Sequence, residues 1–212
     1  MAIEPRRLVE IPVGDVTLPG ELRVPDDALG LVVFAHGSGS SRRSPRNNAV
    51  AEKLRDNGLG TLLFDLLIPE EDVDHQARFD IELLTDRLVA TTDWLGDNDD
   101  AADLPIGYFG SSTGAAAALR AAAKRPAVAA VVSRGGRVDL AAEAIPAVES
   151  PTFLIVGGED EQVRQLNQEV FDELDCDKEF AVVPRAGHLF EGPGQLEEVT
   201  KLALEWFRRH FE

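Results

Sequence analysis

Cysteine is almost absent from this chain, Cys176 being the only one. An internal disulfide is excluded, and the usage fits a reducing, cytoplasmic setting. Lysine is scarce too, occurring only at Lys53, Lys124, Lys178 and Lys201. Positive charge comes mostly from arginine, and acidic residues outnumber basic ones to leave a net charge of −17. Phosphate backbones are bound through basic faces, so nucleic acid is not an expected partner. Such an acidic, lysine-poor composition fits either a salt-adapted surface or an ordinary acidic soluble protein. No run approaches the roughly 20 apolar residues of a membrane span. Residues 1–7 lack the apolar centre of a secretory leader, so neither membrane nor export is expected. No H-E-x-x-H or Cys/His cluster suggests zinc. No G-x-G-x-x-G follows a strand to hold a dinucleotide. No cofactor is therefore expected. Repeats and low-complexity linkers are also missing, so residues 1–212 read as one domain.

What the chain does have is a sharp signal at Gly110-Ser111-Ser112-Thr113-Gly114. An apolar run at 105–109 reads as a buried strand, and the alanine-rich run 115–124 reads as a helix. A G-x-S-x-G between strand and helix is the setting of a nucleophile elbow. There a serine sits on a strained turn, its Oγ raised above the sheet edge. The helix start aims free N–H groups at any anion that develops. A plain glycine-serine turn capping a helix is the alternative reading of the same five residues.

Around this stretch, strands and helices alternate. Strands are expected at 8–13 and 16–24, joined by Gly14-Asp15 as a hairpin. Others follow at 31–35, 61–64, 128–132, 152–156 and 180–183. Helices are expected over 45–57, along the stripe of Ile81, Leu84, Leu88 and Leu95, over 162–174, and at the C-terminal end through Leu196, Val199, Ala203, Trp206 and Phe207. Residues 66–78 read as a polar, acidic connection, and 139–148 as at best a short helix interrupted by Pro146. This order predicts an α/β architecture: a single doubly wound, mostly parallel sheet with no cap domain. Ligands of such sheets bind at the carboxyl ends of the strands. The His36-Gly37-Ser38 loop, Ser112, Asp160 and His188 all fall just past such an end.

A serine hydroxyl needs a base to become a nucleophile, and the base needs an orienting carboxylate. Ser112, Asp160 and His188 supply these types in the chain order Ser-Asp-His. Ser112 would attack a carbonyl carbon, His188 would carry the proton, and Asp160 would fix the imidazole. The backbone N–H groups of Ser38 and Thr113 would receive the oxyanion. Asp160 could instead cap the following helix, leaving Glu161 or Asp139 as the acid. His36 reads as structural, shaping the oxyanion loop, while His75 and His210 read as bystanders. Ser111 adjoins the nucleophile, but the motif register selects Ser112. Arg134, after the strand at 128–132, is a candidate substrate-binding residue for acyl groups bearing a negative charge. The reading favoured over this is that it bridges to a carboxylate such as Asp160 or Asp65 and braces the loops.

Ala35-His36-Gly37-Ser38-Gly39, the elbow, Gly157-Gly158-Glu159-Asp160 and Ala186-Gly187-His188 together resemble the dienelactone-hydrolase-like branch of the α/β-hydrolases. The resemblance covers nearly the whole chain. It implies an eight-stranded sheet with its second strand antiparallel, and no cofactor. Dienelactone hydrolases proper carry a cysteine nucleophile where this chain has Ser112. They also hold a substrate carboxylate with an arginine just after the catalytic histidine, where this chain has Leu189-Phe190-Glu191-Gly192. Members sometimes accompany a phosphoribosyltransferase domain, and none is expected here. The expected activity is hydrolysis of small esters or thioesters. Acyl transfer from the same acyl-enzyme, or binding without catalysis on the same fold, are the alternatives. The pocket is expected to be open and shallow, roofed partly by residues 66–78 and 137–148.

Overall fold

The computed structural model describes residues 7–212, so the leader-free reading of residues 1–7 lies almost wholly outside the described residues. Eight strands form one sheet. They are β1 (Arg7–Val13), β2 (Val16–Arg23), β3 (Leu31–Ala35), β4 (Gly60–Phe64), β5 (Ile106–Ser111), β6 (Ala130–Arg134), β7 (Thr152–Gly157) and β8 (Lys178–Val183). Their order across the sheet is β1-β2-β4-β3-β5-β6-β7-β8. β2 runs antiparallel to both of its neighbours, and every other pairing is parallel. The strand pattern implied by the resemblance is thus the one observed.

The helices are α1 (Pro45–Arg55), α2 (Pro69–Asp72), α3 (His75–Arg78), α4 (Ile81–Gly96), α5 (Thr113–Lys124), α6 (Glu161–Glu173) and α7 (Gln195–Phe211). A 3₁₀ segment spans Val138–Ala147. β3, β4, β6 and β7 are buried at every position, as strands covered on both faces must be. The two-residue side-chain period divides them between two cores. Val32, Phe34, Phe109 and Val132 pack with Val50 and Leu54 of α1 and with Trp206 and Phe207 of α7. Leu31, Val33, Tyr108 and Val131 pack on the other face with Leu84 and Leu88 of α4 and the alanines of α5. α5 lies between the sheet, α4 and the 3₁₀ segment. Its small side chains let all three come close without overpacking. Among the described residues no helix is long and apolar enough to cross a membrane.

Besides small shifts of strand ends at β5 and β8, two segments differ from the sequence expectation. Residues 66–78 are not irregular throughout, because they hold the single-turn helices α2 and α3. Pro69 opens α2, followed by Glu70, Glu71 and Asp72, a composition suited to a helix N-terminus. Asp74 caps α3 by accepting from the Gln76 N–H. The second difference is β6, expected at 128–132 and formed over Ala130–Arg134. Val128 is used in a turn, its N–H donating to the Arg125 carbonyl. At the other end Ser133 and Arg134 continue the ladder against Gly110 and Ser111 of β5. Arg134 therefore ends a strand instead of sitting in a loop.

From β3 the chain goes out to β4, then crosses back to β5 on the other side of β3. The connections leaving β3 and β5 diverge there and open a crevice at the carboxyl ends.

Candidate active site

β5 stops at Ser111 and α5 starts at Thr113, leaving Ser112 alone at φ 51° and ψ −121°. Positive φ in a non-glycine residue costs on the order of 1–3 kcal/mol and persists only where the surroundings enforce it. Here β6 and its loop enforce it. The Ser112 N–H donates to the Arg134 carbonyl at 3.3 Å, and the Ser112 carbonyl accepts from Ala115 and Arg137 at 3.1 and 3.0 Å. Both motif glycines are required by contact. A Cβ on Gly110 would lie 2.4 Å from the Ala115 Cα, and one on Gly114 would lie 2.1 Å from the Ala35 carbonyl oxygen. Ser111 is buried, and its hydroxyl donates to Asn47 Oδ1 at 3.3 Å.

Asp160 follows β7 at the head of α6, but its side chain makes no capping bond. Asp160 Oδ2 instead accepts from His188 Nδ1, in the loop after β8, at 2.7 Å. With the proton assigned to Nδ1, Nε2 carries a free lone pair. The competing acids are placed otherwise. Asp139 accepts two hydrogen bonds from Arg137, at 2.9 and 2.8 Å, and Glu161 is exposed. Ser112 and His188 line one cavity of about 470 Å³. Among the described residues no hydrogen bond joins them; such bonds are often loose before substrate arrives. His75 lies on α3 against Phe79, and His210 lies on α7 near Asp177.

The loop after β3 reaches the same cavity. The Ser38 N–H donates to the Thr113 hydroxyl at 2.8 Å. His36 fixes the base of this loop. Its Nδ1 donates to the Gly37 carbonyl at 3.0 Å, and its Nε2 accepts from the Leu66 N–H at 3.0 Å. Burial pushes the imidazole below its ordinary 6.5, against the opposing pull of the Gly37 carbonyl, Asp65 and Asp72. A lowered folded-state pKa means that the neutral form contributes stability above 6.5, and that this is lost as pH falls through the folded value. Acidification from about pH 7 to about pH 5 should thus lower Tm. In His36→Gln, whose amide oxygen accepts without titrating, the slope over that window should be shallower. Equal slopes would show that His36 does not report on acid stability.

Residues 66–78 and 137–148 do not line this cavity. The bond from Leu66 to His36 holds the first segment to the side, and the second packs on α5 and α6. The wall is the loop from Gly37 into α1, with Arg43, Arg46 and Asn47, none of which the sequence reading singled out. The available signal was the arginine-serine run Ser40-Ser41-Arg42-Arg43-Ser44-Pro45-Arg46 just before a helix. Arg134 lines the cavity too, at 7% exposure. It does not bridge as the favoured reading had it: Asp65 binds Arg42 and Asp160 binds His188. Its Nε and Nη1 have no hydrogen-bond partner. Burial, reinforced by the nearby charge of Arg46, pulls its guanidinium down to about 10.

A mostly parallel eight-stranded sheet, with a serine elbow at its centre and an acid–histidine pair past the later strand ends, defines the α/β-hydrolase fold. The chain belongs to the dienelactone hydrolase family, matched over residues 21–211. It is 52% identical to the crystallised dienelactone hydrolase of Anabaena variabilis, with a TM-score of 0.96 and 99% of each chain covered. It is 55% identical over 203 residues to a Mycobacterium tuberculosis H37Rv protein provisionally named a phosphoribosyl transferase. That match takes in 95% of this chain and 46% of the relative, so the chain spans about half the relative's length. Est1E of Butyrivibrio proteoclasticus shares the fold, with a TM-score of 0.81 over 96% and 98% of the two chains at 16% identity. Family and close structural likeness support a hydrolase.

Proposed function

We propose that the chain is a serine hydrolase of small carboxylic esters or thioesters, working through an acyl-enzyme on Ser112. The observation that carries this reading is the strained Ser112 sharing a cavity with His188, whose other nitrogen is bound by Asp160. Ser112 Oγ attacks the carbonyl carbon while His188 Nε2 takes its proton. Asp160 holds the Nδ1–H tautomer and stabilises the imidazolium. Collapse of the tetrahedral intermediate expels the alcohol or thiol, which receives the proton from His188. Water, deprotonated by the same imidazole, then releases the acid.

The backbone N–H groups of Ser38 and Thr113 receive the oxyanion. In the free protein the Ser38 donor is occupied by the Thr113 hydroxyl. An oxyanion is a stronger acceptor than a hydroxyl, so it displaces the Thr113 side chain as charge develops. The His188 side chain is 40% exposed, so water reaches the base, and this favours hydrolysis over transfer to another acceptor. A cavity of about 470 Å³ suits a small ester.

A fluorophosphonate probe tests the reading directly. Intact protein should gain one adduct, and peptide mapping should find it on Ser112. Absence of labelling, or an adduct on Ser111, would overturn the assignment.

A further inference from the structure

In the cavity beside Ser112 cations gather without acids, against the sign of the chain as a whole. Arg43, Arg46 and Arg134 line it, and no aspartate or glutamate does. Arg134 is the informative member. Its side chain is more than nine-tenths buried, and Nε and Nη1 are unpartnered. An unpaired buried charge is strongly unfavourable unless something neutralises it. The acids at the strand ends are committed elsewhere: Asp65 to Arg42, Asp139 to Arg137, Asp160 to His188. Arg46 reaches Glu191 only at 3.4 Å, across an exposed edge. Among the described residues no acid pairs with Arg134, which leaves it for an anion from outside.

We propose that this cavity takes esters bearing a phosphate monoester, with the phosphate seated between Arg134, Arg46 and the N-terminal turn of α1. The proposal rests on the reading of Ser112 as nucleophile, and the phosphate is the handle, not the bond that is cleaved. Three features select phosphate over carboxylate. First, more than one guanidinium faces the space, matching a group with nearly two negative charges and three terminal oxygens. One guanidinium would satisfy a carboxylate. Second, the first turn of α1 contains no acidic residue to oppose an anion, so although Ser44 already caps the Asn47 N–H, the end of the helix dipole that meets the cavity stays positive. Third, the wall carries hydroxyls with protons to give. Ser44 Oγ accepts from the Asn47 N–H and Ser41 Oγ from the Arg43 N–H, so each keeps its own O–H as a donor. Ser40 lines the same wall.

The test uses wild-type protein with two butyrate esters, one of glycerol and one of glycerol 3-phosphate. The phosphorylated ester should show kcat/KM higher by on the order of tenfold or more, as a charge-assisted contact predicts. Inorganic phosphate should inhibit hydrolysis of the neutral ester competitively and raise Tm, because it neutralises Arg134. Arg134→Gln should lose the preference and weaken phosphate inhibition. If that variant does not fold, Arg46→Gln, at the more exposed member of the pair, carries the same expectation. Hydrolysis of both esters at similar kcat/KM, with no inhibition or stabilisation by phosphate, overturns the phosphate site and leaves the hydrolase reading standing. Succinate competing better than phosphate overturns it in favour of a carboxylate site. Stabilisation by phosphate, with hydrolysis of neither ester and no probe labelling, supports the anion site and overturns Ser112 as nucleophile.

Discussion

Ser112→Ala should lower kcat for a short-chain p-nitrophenyl ester by about four to six orders of magnitude, with the fold intact. The hydroxyl of the adjacent Ser111 does not replace the lost Oγ. Ser111 is buried and its hydroxyl is engaged with Asn47. Ser111→Ala should therefore keep most of the activity and lose about 1 kcal/mol of stability with that hydrogen bond. The backbone offers an independent check. Alanine at position 112 still has a Cβ at φ 51°, so Ser112→Ala should leave Tm close to wild type. Ser112→Gly removes the Cβ that makes the conformation unfavourable, and should raise Tm by an amount corresponding to about 1 kcal/mol while being equally inactive. A variant that loses activity and gains stability marks strain maintained for chemistry. Near-wild-type turnover by Ser112→Ala would refute the nucleophile assignment.

The sheet was legible because its signals are local. The run at 31–35 is apolar throughout and that at 61–64 is apolar but for Thr61, as strands covered on both faces require, and the structure buries every residue of β3 and β4. The elbow was legible because steric demand acts on neighbouring residues: glycine two before and two after a strained serine. Asp160 was recoverable only in part. Its position before a helix reads equally as a cap, and what decides is a loop 28 residues further on that brings His188 to it. The shift of β6 had no local mark at all. Ser133 and Arg134 are polar and precede two glycines, so they read as loop. They are strand because the β5 ladder continues past Phe109 to Ser111. The cavity wall was missed for the same reason. Arg43 and Arg46 look like the solvated start of an amphipathic helix. They become a cationic surface only when α1, starting just past β3, is set against the end of β6, which is a property of strand order.

Asp160→Asn should lower kcat by about 10⁴-fold without unfolding the protein. The carboxylate has two tasks at His188. In the proposed mechanism it accepts the Nδ1–H, which leaves the Nε2 lone pair for the Ser112 proton, and its charge stabilises the imidazolium formed when that proton arrives. An asparagine removes the charge, and if its amide nitrogen turns toward Nδ1 it selects the opposite tautomer, with the Nε2 proton aimed at the nucleophile. Loss of kcat with Tm retained is the signature of an orienting carboxylate; a merely structural aspartate would lower Tm instead. Asp139→Asn provides the contrast. Its partner is Arg137, so it should weaken a local brace and leave kcat close to wild type. If Asp160→Asn is benign and Asp139→Asn lowers kcat by orders of magnitude, Asp139 and not Asp160 is the acid.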